Sequence, residues 1–211
     1  MISKIGRQLL AGPVTAIVTR LQNTGITPNG LTSFGFLLTA LTALLVLMGQ
    51  LRWGGFLLIF AALFDMLDGT LARQTNQVSS FGAFWDSTLD RYSESLVLIS
   101  LVAYYVTQMV ATPGIGGIEI VLLAVTIVGS FMVSYTRARA ESLQYDCKVG
   151  VLQRPERVVL LVIGLLFNWM LPVLWILAIF TNVTALQRMY EVYTQASAQA
   201  KAQQETSPEH Q

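Results

Sequence analysis

The chain has 211 residues, of which 54% are hydrophobic and 12% charged, and a formal charge of +1. A soluble globular chain carries about 25% charged residues, so this composition points to an integral membrane protein, and no nucleic-acid partner is expected. The single Cys147 excludes an internal disulfide and a cysteine-based zinc site, and it reads as a passive residue.

In chain order, the first twenty residues carry no evident cleavable signal. Ile2, Ile5, Leu9, Val14, Ile17, Val18 and Leu21 recur mostly three and four apart, punctuated by Lys4, Arg7 and Arg20. That spacing predicts an amphipathic juxtamembrane helix over 3–22, kinked at Gly12-Pro13; an ordinary packed helix would show the same pattern. Thr27-Pro28-Asn29 then signals a helix start. A spanning helix needs about 20 mainly apolar residues. Six such stretches follow, at about 31–49, 53–71, 81–110, 118–141, 155–169 and 171–190. Thr112-Pro113-Gly114 marks a turn between the third and fourth. The last two spans join closely around 168–172. Residues 194–211 are rich in Ala, Gln, Ser and Glu, lack an apolar face and read as a disordered tail. The expected fold is therefore all-α: one membrane domain over 1–193, with six spans and a leading interfacial helix.

Six spans put both termini on one side. Lys4, Arg7, Arg20, Arg73, Arg91, Arg137, Arg139, Lys148, Arg154, Arg157, Arg188 and Lys201 all fall on that side, and only Arg52 falls opposite. By the positive-inside rule the terminal side is cytoplasmic, in a multi-pass cell membrane protein.

Asp65, Asp68, Asp86 and Asp90 sit at the cytoplasmic end of the second span and the start of the third. A charged side chain at a helix centre costs roughly 2.5–3.5 kcal/mol on insertion scales. The spacings of three and four put each pair on one helical face. Antiparallel neighbours joined by a short loop let the pairs converge. Four carboxylates together need cations, and hard ions such as Mg²⁺ or Mn²⁺ suit an all-oxygen set. Two such ions about 3.5–4 Å apart would suit phosphoryl chemistry. Gly69 and Gly82 keep the approach open, and Arg73 stands where it could hold a phosphate. Simple neutralisation of the carboxylates by Arg73 and Arg91 is the bland alternative. A divalent-metal transporter is the alternative from another class, but it leaves Gly69, Arg73 and the later basic loop without a role.

The run Asp65-x-x-Asp68-Gly69-x-x-Ala72-Arg73, eight residues, then Gly82-x-x-x-Asp86-x-x-x-Asp90 resembles the complete signature of the CDP-alcohol phosphotransferases. The resemblance covers most of the chain. It implies a six-span fold and a reaction in which an alcohol displaces CMP from a CDP-linked lipid, here CDP-diacylglycerol. It implies that Asp65, Asp68 and Asp86 bind metal, and that Asp90 does so too or acts as general base. Asn29, Thr32, Gly69, Ala72, Arg73, Ser79 and Gly82 would line the CDP-lipid pocket. The family usually forms homodimers.

Further on, Ser134-Tyr135-Thr136-Arg137-Ala138-Arg139-Ala140-Glu141 and Gln153-Arg154-Pro155-Glu156-Arg157 are similar to stretches of the phosphatidylinositol-phosphate synthase branch. Arg137 stands for that branch's Lys and Gln153 for its Glu, so the first change keeps charge and alters its geometry. The likeness implies that Arg137, Arg154 and Arg188 hold the phosphate of a phosphorylated polyol, inositol phosphate, with Arg139 and Arg157 as further candidates. Glycerol 3-phosphate, as in phosphatidylglycerophosphate synthesis, would suit the same basic wall.

Overall fold

The computed structural model describes the backbone of residues 2–22, 24–112 and 116–206, and the side chains of 12–22, 24–112 and 116–201. These residues form seven helices: α1 (Ile2–Leu21), α2 (Pro28–Leu47), α3 (Leu51–Gln74), α4 (Ser80–Ala111), α5 (Gly117–Ser142), α6 (Arg154–Phe167) and α7 (Met170–Thr206). No strand occurs among the described residues.

Local chemistry sets the helix starts that matter for the site. Thr27 caps α2 by accepting from the Gly30 N–H at 3.2 Å, and Pro28 occupies the first turn, where its missing N–H costs nothing. Ser79 caps α4 in the same way, accepting from the Gly82 N–H at 3.0 Å. Pro155 stands in the first turn of α6, which ends at Asn168 in a left-handed conformation (φ 56°). The turn expected at 112–114 lies largely outside the described residues.

Five helices, α2, α3, α4, α5 and α7, are long and apolar enough to cross a membrane. The predicted span at 155–169 comes out as α6 with 14 residues. At 1.5 Å per residue it is about 21 Å long, shorter than a hydrocarbon layer of about 30 Å. Asn168 and Trp169 separate α6 from α7.

The tail departs from expectation. In place of disorder from 194, α7 continues as helix to Thr206, and only 207–211 lie outside the described residues. Absence of an apolar face argues against packing, but Ala, Gln, Glu and Lys are strong helix formers, and a helix already running needs no new nucleus to continue.

The core lies among α3, α4, α5, α6 and α7, where Leu98, Leu101, Leu123, Leu165, Leu174 and Leu177 are fully buried. Between lipid-facing helices the drive to associate is close packing. A side chain at Gly129 would collide with Thr181 and Asn182 of α7, so α5 and α7 lie nearly backbone to backbone. A smaller cluster, Val14, Val18, Leu31, Leu67 and Leu71, docks α1 against α3 near the aspartates. At that end of the bundle α3 and α5 finish, α4 and α6 begin, and α7 projects onward.

Candidate active site

Asp65 and Asp68 occupy successive turns near the end of α3, and Asp86 and Asp90 successive turns near the start of α4. A five-residue connection, in which Asn76 takes a left-handed conformation (φ 55°), turns the chain back. Asp65, Asp68 and Asp86 each bring one carboxylate oxygen within 4.8 Å of the others. Opposed oxygens around an octahedral Mg²⁺ lie about 4.2 Å apart. The set spans slightly more than that, so a small closure of the side chains would bring three carboxylates onto a hard divalent cation, which their chemistry suits. Asp68 is 5% exposed, and its orientation is fixed: Thr32 Oγ1 donates to Oδ2 at 2.7 Å and the Gly69 N–H donates to Oδ1.

Asp90 stands beside this trio and is engaged by guanidinium groups. Arg154 Nη2 lies 2.7 Å from Asp90 Oδ1 while its Nη1 donates to Asp65 Oδ2, also at 2.7 Å. Arg91 Nη1 adds a longer contact to Asp90 at 3.5 Å. The start of α6 thus inserts one cation between the first and the fourth aspartate.

The residues expected to line the donor pocket lie around the same end. Thr32 serves Asp68, as above. Asn29 Oδ1 and Ser79 Oγ lie 3.2 and 3.0 Å from where a Gly82 side chain would begin, so Gly82 lets the starts of α2 and α4 meet. Trp85 Nε1 donates to Ser33 Oγ at 3.1 Å and ties the same two helices. Gly69 is less crowded: a methyl group there would meet Arg73 Nη1 at 3.5 Å, an ordinary contact. Arg73 is exposed and Ala72 half-buried, with Arg73 Nη2 donating to Thr70 Oγ1 at 3.3 Å.

The basic residues separate into distinct roles. Arg137 is exposed and pairs with Glu141 at 2.8 Å, a contact of little energetic weight at a surface. Arg139 is exposed. Arg188 is buried, donating from Nε to the Val149 carbonyl at 3.0 Å and from Nη1 to the Val133 carbonyl. It ties the connection after α5 to α7. Arg157 is 1% exposed and forks onto Glu94, Nε to Oε1 at 2.5 Å and Nη2 to Oε2 at 2.7 Å. Of the five arginines assigned to an acceptor phosphate, Arg154 alone meets the aspartates directly among the contacts described.

Two features escaped sequence reasoning. Glu94 extends the Asp86, Asp90 stripe by one further turn, a spacing visible in the sequence. The second is a row on α7 that holds the 143–153 connection. Thr184 Oγ1 accepts from the Leu152 N–H at 3.0 Å, Gln187 Oε1 from the Val151 N–H at 3.3 Å, and Gln195 Nε2 donates to the Asp146 carbonyl at 2.7 Å. Gly150, at φ 138°, passes so close to Thr184 that a side chain would collide with it. Cys147 is fully buried in this connection, and burial pushes its thiol pKa up, which fits an inert residue.

Known proteins resemble this chain in sequence and in fold. The chain is 38% identical to an archaetidylinositol phosphate synthase of Pyrococcus horikoshii, over 90% of this chain and 96% of that one. Its fold is similar to a crystal structure of Mycobacterium tuberculosis phosphatidylinositol phosphate synthase with CDP-DAG bound. That likeness has a TM-score of 0.77 and 31% identity, covering 86% of this chain and 94% of the other. The same enzyme in complex with manganese and citrate matches with a TM-score of 0.76, at 31% identity over 86% of this chain and 89% of that one. The sequence pattern of CDP-alcohol phosphatidyltransferase matches residues 25–187. With its helices long enough to cross a bilayer and its carboxylates suited to a divalent cation, this multi-pass membrane protein belongs to the CDP-alcohol phosphatidyltransferase family.

Proposed function

We propose that the chain transfers a phosphatidyl group from CDP-diacylglycerol to a hydroxyl of inositol phosphate, releasing CMP and forming phosphatidylinositol phosphate. The observation that carries the reading is the meeting of the acidic trio with Arg154. A site for a diphosphate-bearing donor and a cation for a second phosphate then share one end of the bundle. Relatives whose names differ in the lipid, archaetidyl or phosphatidyl, share the inositol phosphate, which favours that acceptor.

Asp65, Asp68 and Asp86, with Asp90 beside them, would hold Mg²⁺ or Mn²⁺, one ion or two. A bound divalent cation there supplies positive charge against the diphosphate. Asn29, Thr32, Gly69, Ala72, Arg73, Ser79 and Gly82 shape the donor pocket, with Arg73 the exposed cation at its mouth. Asp90 takes the proton of the acceptor hydroxyl. The hydroxyl oxygen bonds to the lipid-bearing phosphorus, the bond to the CMP oxygen breaks, and that electron pair leaves with CMP. Arg154, Arg137 and Arg188 attract the acceptor's phosphate, with Arg139 as an outer charge; Arg157, buried on Glu94, adds its charge only from behind Arg154. Arg188 does so while supporting the loop. Much of the rate then comes from positioning and electrostatics.

An acceptor panel tests this reading. CMP release from CDP-diacylglycerol in Mg²⁺ or Mn²⁺ is expected with inositol phosphate and to be at least tenfold slower with glycerol 3-phosphate, serine or free inositol. Preference for glycerol 3-phosphate would move the assignment to phosphatidylglycerophosphate synthesis, and metal flux without CMP release would favour a transporter.

The site end is read as cytoplasmic, because twelve of the thirteen Lys and Arg gather there. In this reading α6 is a short sixth crossing that begins within the layer beside the aspartates, after an interfacial α1. Resemblance to the family favours a homodimer. Arg52→Cys and Lys201→Cys should react with a membrane-impermeant maleimide from opposite faces of oriented vesicles. Labelling of both from one face would refute the topology. The buried Cys147 contributes little background.

A further inference from the structure

The Glu94–Arg157 pair lies outside the donor wall and the acidic trio. Asp86, Asp90 and Glu94 are spaced four apart on α4 and share one face; Glu94 lies about 6 Å deeper along the helix than Asp90. Arg154 and Arg157, three apart, share one face at the start of α6. The two rows meet in register, Asp90 with Arg154 and Glu94 with Arg157. For its backbone packing α6 leans on α3 and α7 rather than on α4. The two guanidiniums are therefore the polar ties that fix α6 relative to α4.

The pairs differ in how open they are. The side chains of Arg154 and Asp90 are 27% and 12% exposed, which leaves the guanidinium open to an incoming ligand. Those of Arg157 and Glu94 are 2% and 9% exposed, and both carboxylate oxygens of Glu94 are engaged. A buried ion pair is weak evidence for stability, because well-packed apolar residues in its place are often as stable or more so. Its fork does fix rotation and depth, since a bidentate contact tolerates little of either.

We propose that Glu94, acting through Arg157, is a positioning residue that sets the height and rotation of α6 so that Arg154 reaches the acceptor's phosphate beside Asp90. This rests on the reading above that Arg154 takes that phosphate. Glu94 itself touches neither substrate. Its loss should therefore act on the acceptor and spare the donor, a split that simple destabilisation does not produce.

The test measures CMP release by purified full-length protein in bilayer nanodiscs, with CDP-diacylglycerol and inositol phosphate varied in turn. For Glu94→Gln the acceptor KM is expected to rise about tenfold, with the donor KM within twofold of the parent. Glu94→Asp, which keeps the charge on a shorter arm, should recover part of the acceptor KM. Arg157→Lys keeps the charge, loses the fork and should show the same split; it carries the test where Glu94→Gln does not fold. An acceptor KM within twofold of the parent, or donor and acceptor KM rising together, overturns the proposal whatever the thermal stability. Failure of the parent to release CMP with inositol phosphate would instead sink the functional reading.

Discussion

Asp90→Asn is expected to lower CMP release by about 10²–10⁴-fold, the range ascribed to a positioned general base, while CDP-lipid binding stays within a few fold. The substitution keeps the shape of the side chain and an oxygen facing Arg154 Nη2, but an amide cannot take the acceptor's proton. Asp90 also stands outside the trio whose oxygens lie within 4.8 Å of one another. Cation binding, followed by Mn²⁺ electron paramagnetic resonance, should therefore weaken less in Asp90→Asn than in Asp68→Asn. Asp68 is the buried member, held by Thr32 and the Gly69 N–H. Substantial turnover in Asp90→Asn would remove it as the base. An equal loss of Mn²⁺ in both variants would make it a cation ligand first.

Arg154→Ala should move two affinities in opposite directions. Removing a hydrogen-bonded partner from a buried charge pair costs about 2–5 kcal/mol. A loss of 2 kcal/mol corresponds to about thirtyfold at 1.4 kcal/mol per tenfold, so the acceptor KM should rise at least about thirtyfold. The donor KM should change far less. Asp65 and Asp90 would lose the guanidinium they share, leaving more uncompensated negative charge beside the trio. Mn²⁺ should then bind more tightly than in the parent. Equal rises in both KM values would assign Arg154 to the donor side. Weaker Mn²⁺ binding would mean that the guanidinium supports the acidic cluster rather than competing with cations for it.

The sequence carried the acidic site well. Spacings of three and four on apolar helices identify one face each, and a short connection forces the faces together. The helix start at Thr27 was equally open to reading, because a cap is a local signal. Partner choice was not. An arginine in a basic run shows its charge but not the anion or carbonyl it will meet. Glu94 engages Arg157, and two backbone carbonyls hold Arg188 against the loop. The extent of α6 was legible, 155–169 against Arg154–Phe167, and what was over-read was its reach: Asn168 takes a left-handed turn inside the apolar run and ends the helix short of a full crossing. The continuation of α7 was hidden because a segment without an apolar face carries no packing signal, and only its helix propensity speaks for it.

Thr184, Gln187, Arg188 and Gln195 are spaced three, one and seven apart, so one broad face of α7 holds the 143–153 connection from Asp146 to Leu152. That connection is in effect a cast taken from a helix distant in sequence. Grafting 143–153 from a relative with another acceptor should therefore transfer its residues without their conformation. A chimaera that exchanges acceptor preference has to carry 184–195 along with the loop, so two segments of the chain make up a single exchangeable unit.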